Sequence, residues 1–244
     1  MSKLKIKNFH KHFGGVKAVN GLDLEIAEGK VTGLVGPNGS GKSTLINLIT
    51  GVIQKDKGVM VISDHFKTEH IQPKDMYEYK ITRTFQNVRV FEQMSVLDNL
   101  LVVLTHRNAV GALFEKKKKL YEDRALHILK KIGLEEKKDE LAMNLSYGQR
   151  KLLEIGRVLA VDAEIILFDE PYAGLFPEMI KKVSEIIREL RMLGKTIILV
   201  EHNMQIIREL CDHVVVLDAG EWLAEGSPEK VLSQKNVIEA YLGE

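Results

Sequence analysis

Disulfide chemistry is excluded at the outset. The 244-residue chain carries one cysteine, Cys211, and a single thiol cannot close an intrachain bridge. Such sparing use of cysteine fits a reducing compartment. Cys211 lies among apolar residues late in a helix-like run, which reads as a buried packing thiol rather than a nucleophile. An excess of charge of one sign is also missing: 35 lysines and arginines face 34 aspartates and glutamates. No net field therefore draws the chain to nucleic acid or to anionic lipid. Long hydrophobic runs are lacking too. Leu100 to Leu104 and Thr196 to Val200 are among the longest, far short of the roughly 20 residues that cross a bilayer. The chain enters an alternating pattern almost at once, so no signal peptide is expected. Any membrane role must come through a partner. Internal repeats, low-complexity tracts and long linkers are absent as well.

What is present is organised around one loop. Gly36-Pro37-Asn38-Gly39-Ser40-Gly41-Lys42-Ser43-Thr44 fits the phosphate-binding pattern G-x-x-x-x-G-K-[ST]. The apolar run Val31 to Val35 precedes it as a buried strand, and Ser43 to Thr50 follows at helical spacing, with Gly51 as a stop. Glycines let backbone N–H groups turn inward around phosphate oxygens, and the helix N-terminus adds positive potential there. Lys42 reaches toward the β- and γ-phosphates, and the Ser43 hydroxyl is suited to Mg²⁺. The bland alternative, a glycine-rich turn before a helix, leaves the lysine and serine unexplained.

The rest of the chain falls into three parts. Leu4 to Phe9 and Leu22 to Ile26 alternate as half-buried antiparallel strands, and Gly58 to Ile62 adds another. Ser63 to Tyr79 is polar and broken by Pro73, a surface connection with room for one short helix. Ile81 to Phe85 reads as a strand that delivers Gln86 at its end. From residue 95 to 141 the spacing of Val96, Leu97, Leu100, Leu101 and Leu104, and of Leu126, Leu129, Ile132 and Leu134, is helical. The run Lys116 to Lys119 within it is short enough to be a solvated face; lipid head groups are the sharper alternative. Beyond it strands and helices alternate: Ile165 to Phe168, Pro177 to Leu193, Thr196 to Val200, Met204 to Leu210 and Val214 to Leu217. Glu221 to Ala224 is placed to pair with the last of these, and Ser227 to cap a final helical region. The fold class expected is α/β: a phosphate-loop core with a mostly parallel sheet, an N-terminal antiparallel β lobe, and a helical sub-domain at 95–141. Residues 1–94 and 142–244 form the lobe and core of one domain.

Ligands of parallel sheets bind at the carboxyl ends of strands. The loop, Asp169-Glu170 and His202 all fall at such ends, which groups them into one site. Asp169 can hold Mg²⁺ opposite Ser43, and Glu170 can accept a proton from an attacking water. A charged turn after a strand is the commonplace alternative. Gln86 can bind Mg²⁺ or the lytic water, and His202 can donate to a γ-phosphate, although a lone histidine is more often structural. Phe13, an aromatic beside Gly14-Gly15, either stacks on an adenine ring or packs in the core. Ser146 and Gln149 make a capping box; with Gly148 they also suit a second phosphate grip at a helix N-terminus. One chain cannot easily bring both grips to one γ-phosphate. A head-to-tail pair of chains can.

Taken in order, the phosphate loop, Gln86, Leu145-Ser146-Tyr147-Gly148-Gln149, Ile166-Leu167-Phe168-Asp169-Glu170-Pro171 and His202 resemble the ATPase subunit of an ABC transporter over essentially the whole chain. The resemblance implies ATP hydrolysis with Mg²⁺ at a dimer interface. It implies stacking of adenine on Phe13 and a catalytic role for Glu170, supported by His202, Gln86 and Lys42. It implies Mg²⁺ at Ser43, Gln86 and Asp169, and phosphate binding by residues 36–44 and by Ser146, Gly148 and Gln149. The partners implied are a second ATPase subunit, the same chain or a related one, and two transmembrane permease subunits at the cytoplasmic face of the cell membrane. An extracytoplasmic substrate-binding protein belongs to the full system. Two positions depart from the family pattern: Tyr147 stands where glycine is usual, and Phe176 where aspartate is. Tyr147 is expected to point away from phosphate. Arg83 to Arg89, Tyr147-Gly148 and the ending Ala240 to Glu244 resemble branched-chain amino acid importers. A lipopolysaccharide exporter subunit shares a similar ending. A soluble regulatory ATPase would usually carry a second ATPase domain or a long coiled coil, and a kinase would leave Ser146 and His202 unexplained.

Overall fold

Alternation in the first dozen residues makes a hairpin. The structure, a computed structural model, describes residues 2–63, 66–68, 71–105 and 115–242, with residues 66, 115–118 and 242 described by their backbone alone. Strands β1 (Ser2–Phe13) and β2 (Val16–Ala27) pair antiparallel across Gly14-Gly15. Buried Leu4, Ile6 and Phe9 slip strict alternation by one residue. Asn8 absorbs the slip with a φ of 53°, and its N–H donates to Asp23 Oδ1 at 2.6 Å. The register shifts at the same place, as at a β-bulge. β4 (Lys57–Ile62) joins the other side of β1, and β5 (Phe66–Thr68) pairs with β4. The stretch expected to be a polar connection with one short helix has a 3₁₀ turn at Pro73–Met76 and also contains a strand. The open edge of β4 supplies partners for β5, whose own sequence is too short to signal a strand.

A second sheet has the order β10-β9-β3-β8-β7-β6 among the described residues. Its strands are β3 (Val31–Val35), β6 (Ile81–Arg83), β7 (Ile165–Asp169), β8 (Thr196–Val200), β9 (His213–Asp218) and β10 (Glu221–Gly226). Pairing is parallel throughout except between β9 and β10. β3, β7 and β8 are buried at every position, the mark of a sheet covered on both faces. On one face Leu34, Ile165, Leu167, Ile198, Val200, Val215 and Leu217 join a single core. That core includes Leu45, Ile46, Leu48 and Ile49 of helix α1 (Lys42–Ile49) and the inner side chains of β1, β2 and β4. On the other face Gly33 looks at Ile207 of α6 (Met204–Leu210) and at Cys211. Cys211 is the residue that ends α6 rather than part of its run. Burial, with Asp212 and Glu201 nearby, pushes its thiol up to about 12, so it packs and does not react. β6 is shorter than its sequence suggested. It ends at Arg83, so Gln86 lies in irregular chain beyond the strand rather than at its end.

These elements belong to a first compact unit, Met1–Arg83, Ala163–Glu170 and Ile186–Glu244; a second unit holds Thr84–Asp162 and Pro171–Glu185. The second unit contains α2 (Val96–Leu104), α3 (Glu115–Ile132), α4 (Tyr147–Ala160) and the start of α5 (Pro177–Met192). Ser95 caps α2 by accepting the Asp98 N–H at 3.0 Å. Val96, Leu100 and Leu104 of α2, Ile128, Leu129 and Ile132 of α3, and Leu152, Leu153 and Ile155 of α4 are buried, each set at the spacing of one helix face. The run Lys116 to Lys119 lies in the first turns of α3; the side chains of Lys116, Lys117 and Lys118 fall outside the described residues, as do Gly243 and Glu244 of the chain's ending. The first unit closes with α7 (Pro228–Val231) and α8 (Lys235–Leu242). Ser227 occupies the cap position of α7, but its side chain makes no cap hydrogen bond. Pro228, first in the helix, has a preset φ and no N–H to satisfy. Among the described residues no helix is long and apolar enough to cross a membrane.

Gly33 is a test of this packing. A Cβ there would stand 2.9 Å from Cys211 Sγ and 3.2 Å from Ile207 Cδ1. Gly33→Ala is expected to cost about 1–3 kcal/mol by overpacking. Adding Cys211→Ala should return much of that loss in urea unfolding; a double mutant no more stable than Gly33→Ala would show that the strain lies elsewhere.

Candidate nucleotide-binding site

Strand register brings three loops to one edge of the six-stranded sheet. Leu34 of β3 and Asp169 of β7 both pair with Val200 of β8. The chain leaving each strand therefore emerges level with its neighbours: the loop from Gly36, the turn at Glu170, and the turn at His202. The loop itself is built by backbone. Gly36 has φ 148° and Gly41 has φ 101°, values open to glycine and strained for other residues. A side chain at Gly36 would meet the Leu217 carbonyl oxygen, and one at Gly41 that of Ala18. Ser40 is buried; its N–H donates to Pro37 O at 3.2 Å, and its carbonyl accepts the Gly220 N–H at 3.1 Å. Asn38, Gly39 and Ser43 are exposed, and Thr44 is half-buried.

Lys42 begins α1 and folds back into the loop. Its Nζ donates to Gly36 O at 2.8 Å, Pro37 O at 2.9 Å and Ser40 Oγ at 3.3 Å. Burial lowers its pKa, while Glu170 and Asp169 oppose that shift through space. The ammonium is thus held over the loop by carbonyl oxygens, which phosphate oxygens can replace.

Asp169 ends β7, and its side chain is 4% exposed. Arg83 Nη2 donates to its Oδ2 at 2.9 Å, while Nη1 donates to Asn47 Oδ1 at 2.8 Å and Thr50 Oγ1 at 3.0 Å. This buried guanidinium ties the end of β7 to α1. Glu170 follows with φ 47°. A left-handed conformation at a residue with a side chain costs about 1–3 kcal/mol and recurs at functional sites. Its N–H is anchored on Val200 O at 3.0 Å. Its Oε1 lies 3.0 Å from His202 Nε2, so the base and the histidine expected from sequence are in contact. The His202 N–H in turn donates to Glu201 Oε2 at 3.1 Å. Phe13, at the tip of β1, is 49% exposed, which rules out core packing. The Lys11 ammonium stands 5.3 Å from the centre of its ring.

Among the described residues no group of three or more His, Cys, Asp or Glu is arranged to hold a metal ion. What the first unit offers is the Ser43 hydroxyl and the Asp169 carboxylate. Hard oxygen donors in that number fit Mg²⁺, which is usually bound by one or two carboxylates together with substrate phosphates.

The remaining candidates lie in the second unit. Ser146 is the N-cap of α4: its Oγ accepts the Gln149 N–H at 3.3 Å, and Gln149 Oε1 accepts the Ser146 N–H at 3.0 Å. The capping box read from the sequence is therefore formed. Gly148 is buried, and a side chain there would meet Met179 Sδ. The Tyr147 ring lies against Gly174, where a side chain would meet it at 2.9 Å. Gln86 is exposed, and the chain on both sides of it is fastened to α4. Glu154 Oε1 accepts the Phe85 N–H at 3.3 Å and the Arg89 N–H at 3.1 Å. Arg157 donates to Arg89 O and lies 4.7 Å from the centre of the Phe91 ring. The helix that presents Ser146 thus also carries the loop of Gln86. The bonding of Arg83 to Asp169 and the part played by Glu154 escaped the sequence reading. Each of these two residues is charged within an apolar pattern, the one signal that could have marked it for burial with a partner.

Residues 19–173 match the family described as ABC transporter. The high-affinity branched-chain amino acid transport ATP-binding protein LivG of Escherichia coli K12 is 36% identical, over 99% of this chain and 98% of that protein. A probable branched-chain amino acid transport ATP-binding protein of Methanocaldococcus jannaschii is 37% identical, over 100% and 98%. Among solved structures, the ADP conformation of an ATP-binding cassette of an ABC transporter is 36% identical with a TM-score of 0.85, covering 100% of both chains. A dimeric cassette in a post-hydrolysis state with ADP and Pi is 27% identical with a TM-score of 0.80, covering 92% of this chain and 98% of that one.

The buried carboxylate of α4 predicts a pH dependence. Burial pushes Glu154 up to about 7, against the pull of the Arg89 and Phe85 N–H groups and of Lys151 and Arg157. A carboxyl raised on folding contributes stability that is complete below its unfolded value near 4.5 and is lost as pH rises toward 7. A glutamine side chain in its place keeps the acceptor oxygen and cannot ionise. Wild type should therefore lose up to about 3 kcal/mol relative to Glu154→Gln between about pH 4.5 and 8. Urea midpoints that run parallel for the two proteins across that range would refute the assignment.

Proposed function

Because the chain belongs to the ABC transporter family as an ATP-hydrolysing cassette, we propose that it energises uptake of branched-chain amino acids through partner membrane subunits. The observation that carries this reading is the match along the whole chain to branched-chain amino acid transport ATP-binding proteins. The juxtaposition of Lys42, Asp169, Glu170 and His202 at one sheet edge supports the hydrolytic part.

In this mechanism ATP enters with adenine on Phe13 and its phosphates on the backbone of residues 36–44. Lys42 exchanges loop carbonyls for β- and γ-phosphate oxygens. Ser43, Asp169 and Gln86 would hold Mg²⁺, which when bound neutralises charge on those phosphates. Glu170 accepts the proton of the attacking water, and His202, bonded to it, orients that carboxylate and contacts the γ-phosphate. A second cassette, the same chain or a related one, lies head-to-tail and offers the helix N-terminus of Ser146, Gly148 and Gln149 to the nucleotide. Exposed Phe91, Met94, Val102, Leu141 and Met143 of the second unit supply apolar surface for two permease subunits at the cytoplasmic face. A substrate-binding protein outside the membrane completes the system. Transport follows because closing two cassettes over ATP moves the surfaces to which the permeases are bound.

Two variants separate binding from chemistry. Glu170→Gln should bind ATP with wild-type affinity, hydrolyse it roughly 10²–10⁴-fold more slowly, and elute as a dimer with ATP; wild-type turnover would remove Glu170 as the base. Lys42→Ala should weaken ATP binding roughly 10–100-fold, and unchanged affinity would remove Lys42 from the phosphate site. Purifying Glu170→Gln from native membranes with ATP should recover two permease chains. Reconstituted with them, the wild type should drive leucine uptake, and recovery of ribosomal or DNA-bound partners instead would overturn the transport reading.

A further inference from the structure

The C-terminal stretch around Tyr241 has no part in the chemistry above, yet it reaches the phosphate loop. Tyr241 lies near the end of α8. Its hydroxyl oxygen accepts the N–H of Gly36, the first residue of the loop, at 2.6 Å across 205 residues of sequence. We propose that Tyr241 is a positioning residue for the phosphate loop, making the C-terminal helix a structural part of the nucleotide site. The proposal rests on the ATP-binding reading of that loop.

The argument starts from the peptide groups of Gly36. Its backbone is buried and has no room for a side chain, because a Cβ would stand 2.1 Å from Leu217 O and 2.6 Å from Ser40 Oγ. Buried peptide groups need partners. The N–H of Gly36 has the Tyr241 hydroxyl; its carbonyl has the Lys42 ammonium at 2.8 Å. Burial pushes the phenol up to about 12, with the Gly36 N–H pulling the other way, so the hydroxyl stays neutral near pH 7 and accepts this hydrogen bond as a phenol.

The two bonds respond differently to nucleotide. When Lys42 moves to phosphate oxygens it leaves the Gly36 carbonyl. The Tyr241 bond then remains as the side-chain anchor of the first loop residue. It also keeps this N–H directed at α8. Losing the phenol hydroxyl should therefore harm the nucleotide-bound loop more than the free one, and should appear as lost affinity rather than only as lost stability.

The experiment compares the full-length wild type with Tyr241→Phe, which keeps the ring and removes only the acceptor. ADP affinity is measured by calorimetry, KM and kcat for ATP by phosphate release, and amide hydrogen exchange along the chain. Tyr241→Phe is expected to raise the ADP Kd and the ATP KM roughly 5–20-fold with kcat nearly unchanged. Exchange should rise over residues 36–44 in the ADP-bound protein more than in the free protein. Wild-type affinity together with wild-type protection of residues 36–44 would overturn the proposal. So would a loss confined to the unfolding midpoint and to exchange within α8, which is the signature of a merely structural contact. If the wild type itself binds no ADP, the nucleotide reading fails, a result distinct from failure of Tyr241 alone.

Discussion

Parallel pairing of β3, β8 and β7 is the constraint on which the rest depends. In a parallel sheet, equivalent ends point the same way, so whatever follows each strand meets at one edge. Val200 of β8 pairs with Leu34 on one side and with Asp169 on the other. A slip of one residue in either ladder would turn each strand's side chains to the opposite face. It would also leave the ends of neighbouring strands no longer level. The apolar cluster under the sheet, with Leu34, Leu167, Ile198 and Val200 on one face, is thus what holds the chemistry in register.

Charge at that edge is balanced before any ligand arrives. Lys42 is buried beside Asp169 and Glu170, and Arg83 answers Asp169 directly. An isolated charge in such a place would be costly. Here each has an opposite partner or a ring of carbonyls. Glu170 holds a left-handed backbone to present its carboxylate to His202. Strain of that kind persists because Val200 fixes the Glu170 N–H and the β7–β8 ladder fixes the rest.

The second unit obeys a different rule. Its helices pack by apolar faces, but the irregular chain on either side of Gln86 has no ladder to satisfy its peptide groups. Glu154 and Arg157 of α4 supply the partners instead. Two N–H groups and two cations that face this buried carboxyl offset part of the cost of its burial. Movement of the helix that presents Ser146 must therefore carry the Gln86 loop with it.

Much of this was legible in the sequence. Periodicity located most strands and helices, and residue type and position after a strand grouped the glycine-lysine loop, Asp169-Glu170 and His202 at one end of the sheet. These are local properties: a glycine that turns, a strand that ends, a helix that needs a cap. What the sequence left open was decided by contacts across long separations. Phe13 could have been core or stacking platform until the hairpin tip placed it half in solvent. β5 exists because β4 has an edge to offer, and Ser227 stands at the cap position of α7 without a side-chain cap hydrogen bond. Arg83 with Asp169, Glu154 with the peptides around Gln86, and Tyr241 with Gly36 are pairings that no local pattern names, even where a charge in an apolar run hints at burial. A charged or phenolic side chain can be buried only where a partner is, and the partner's position is a property of the folded chain.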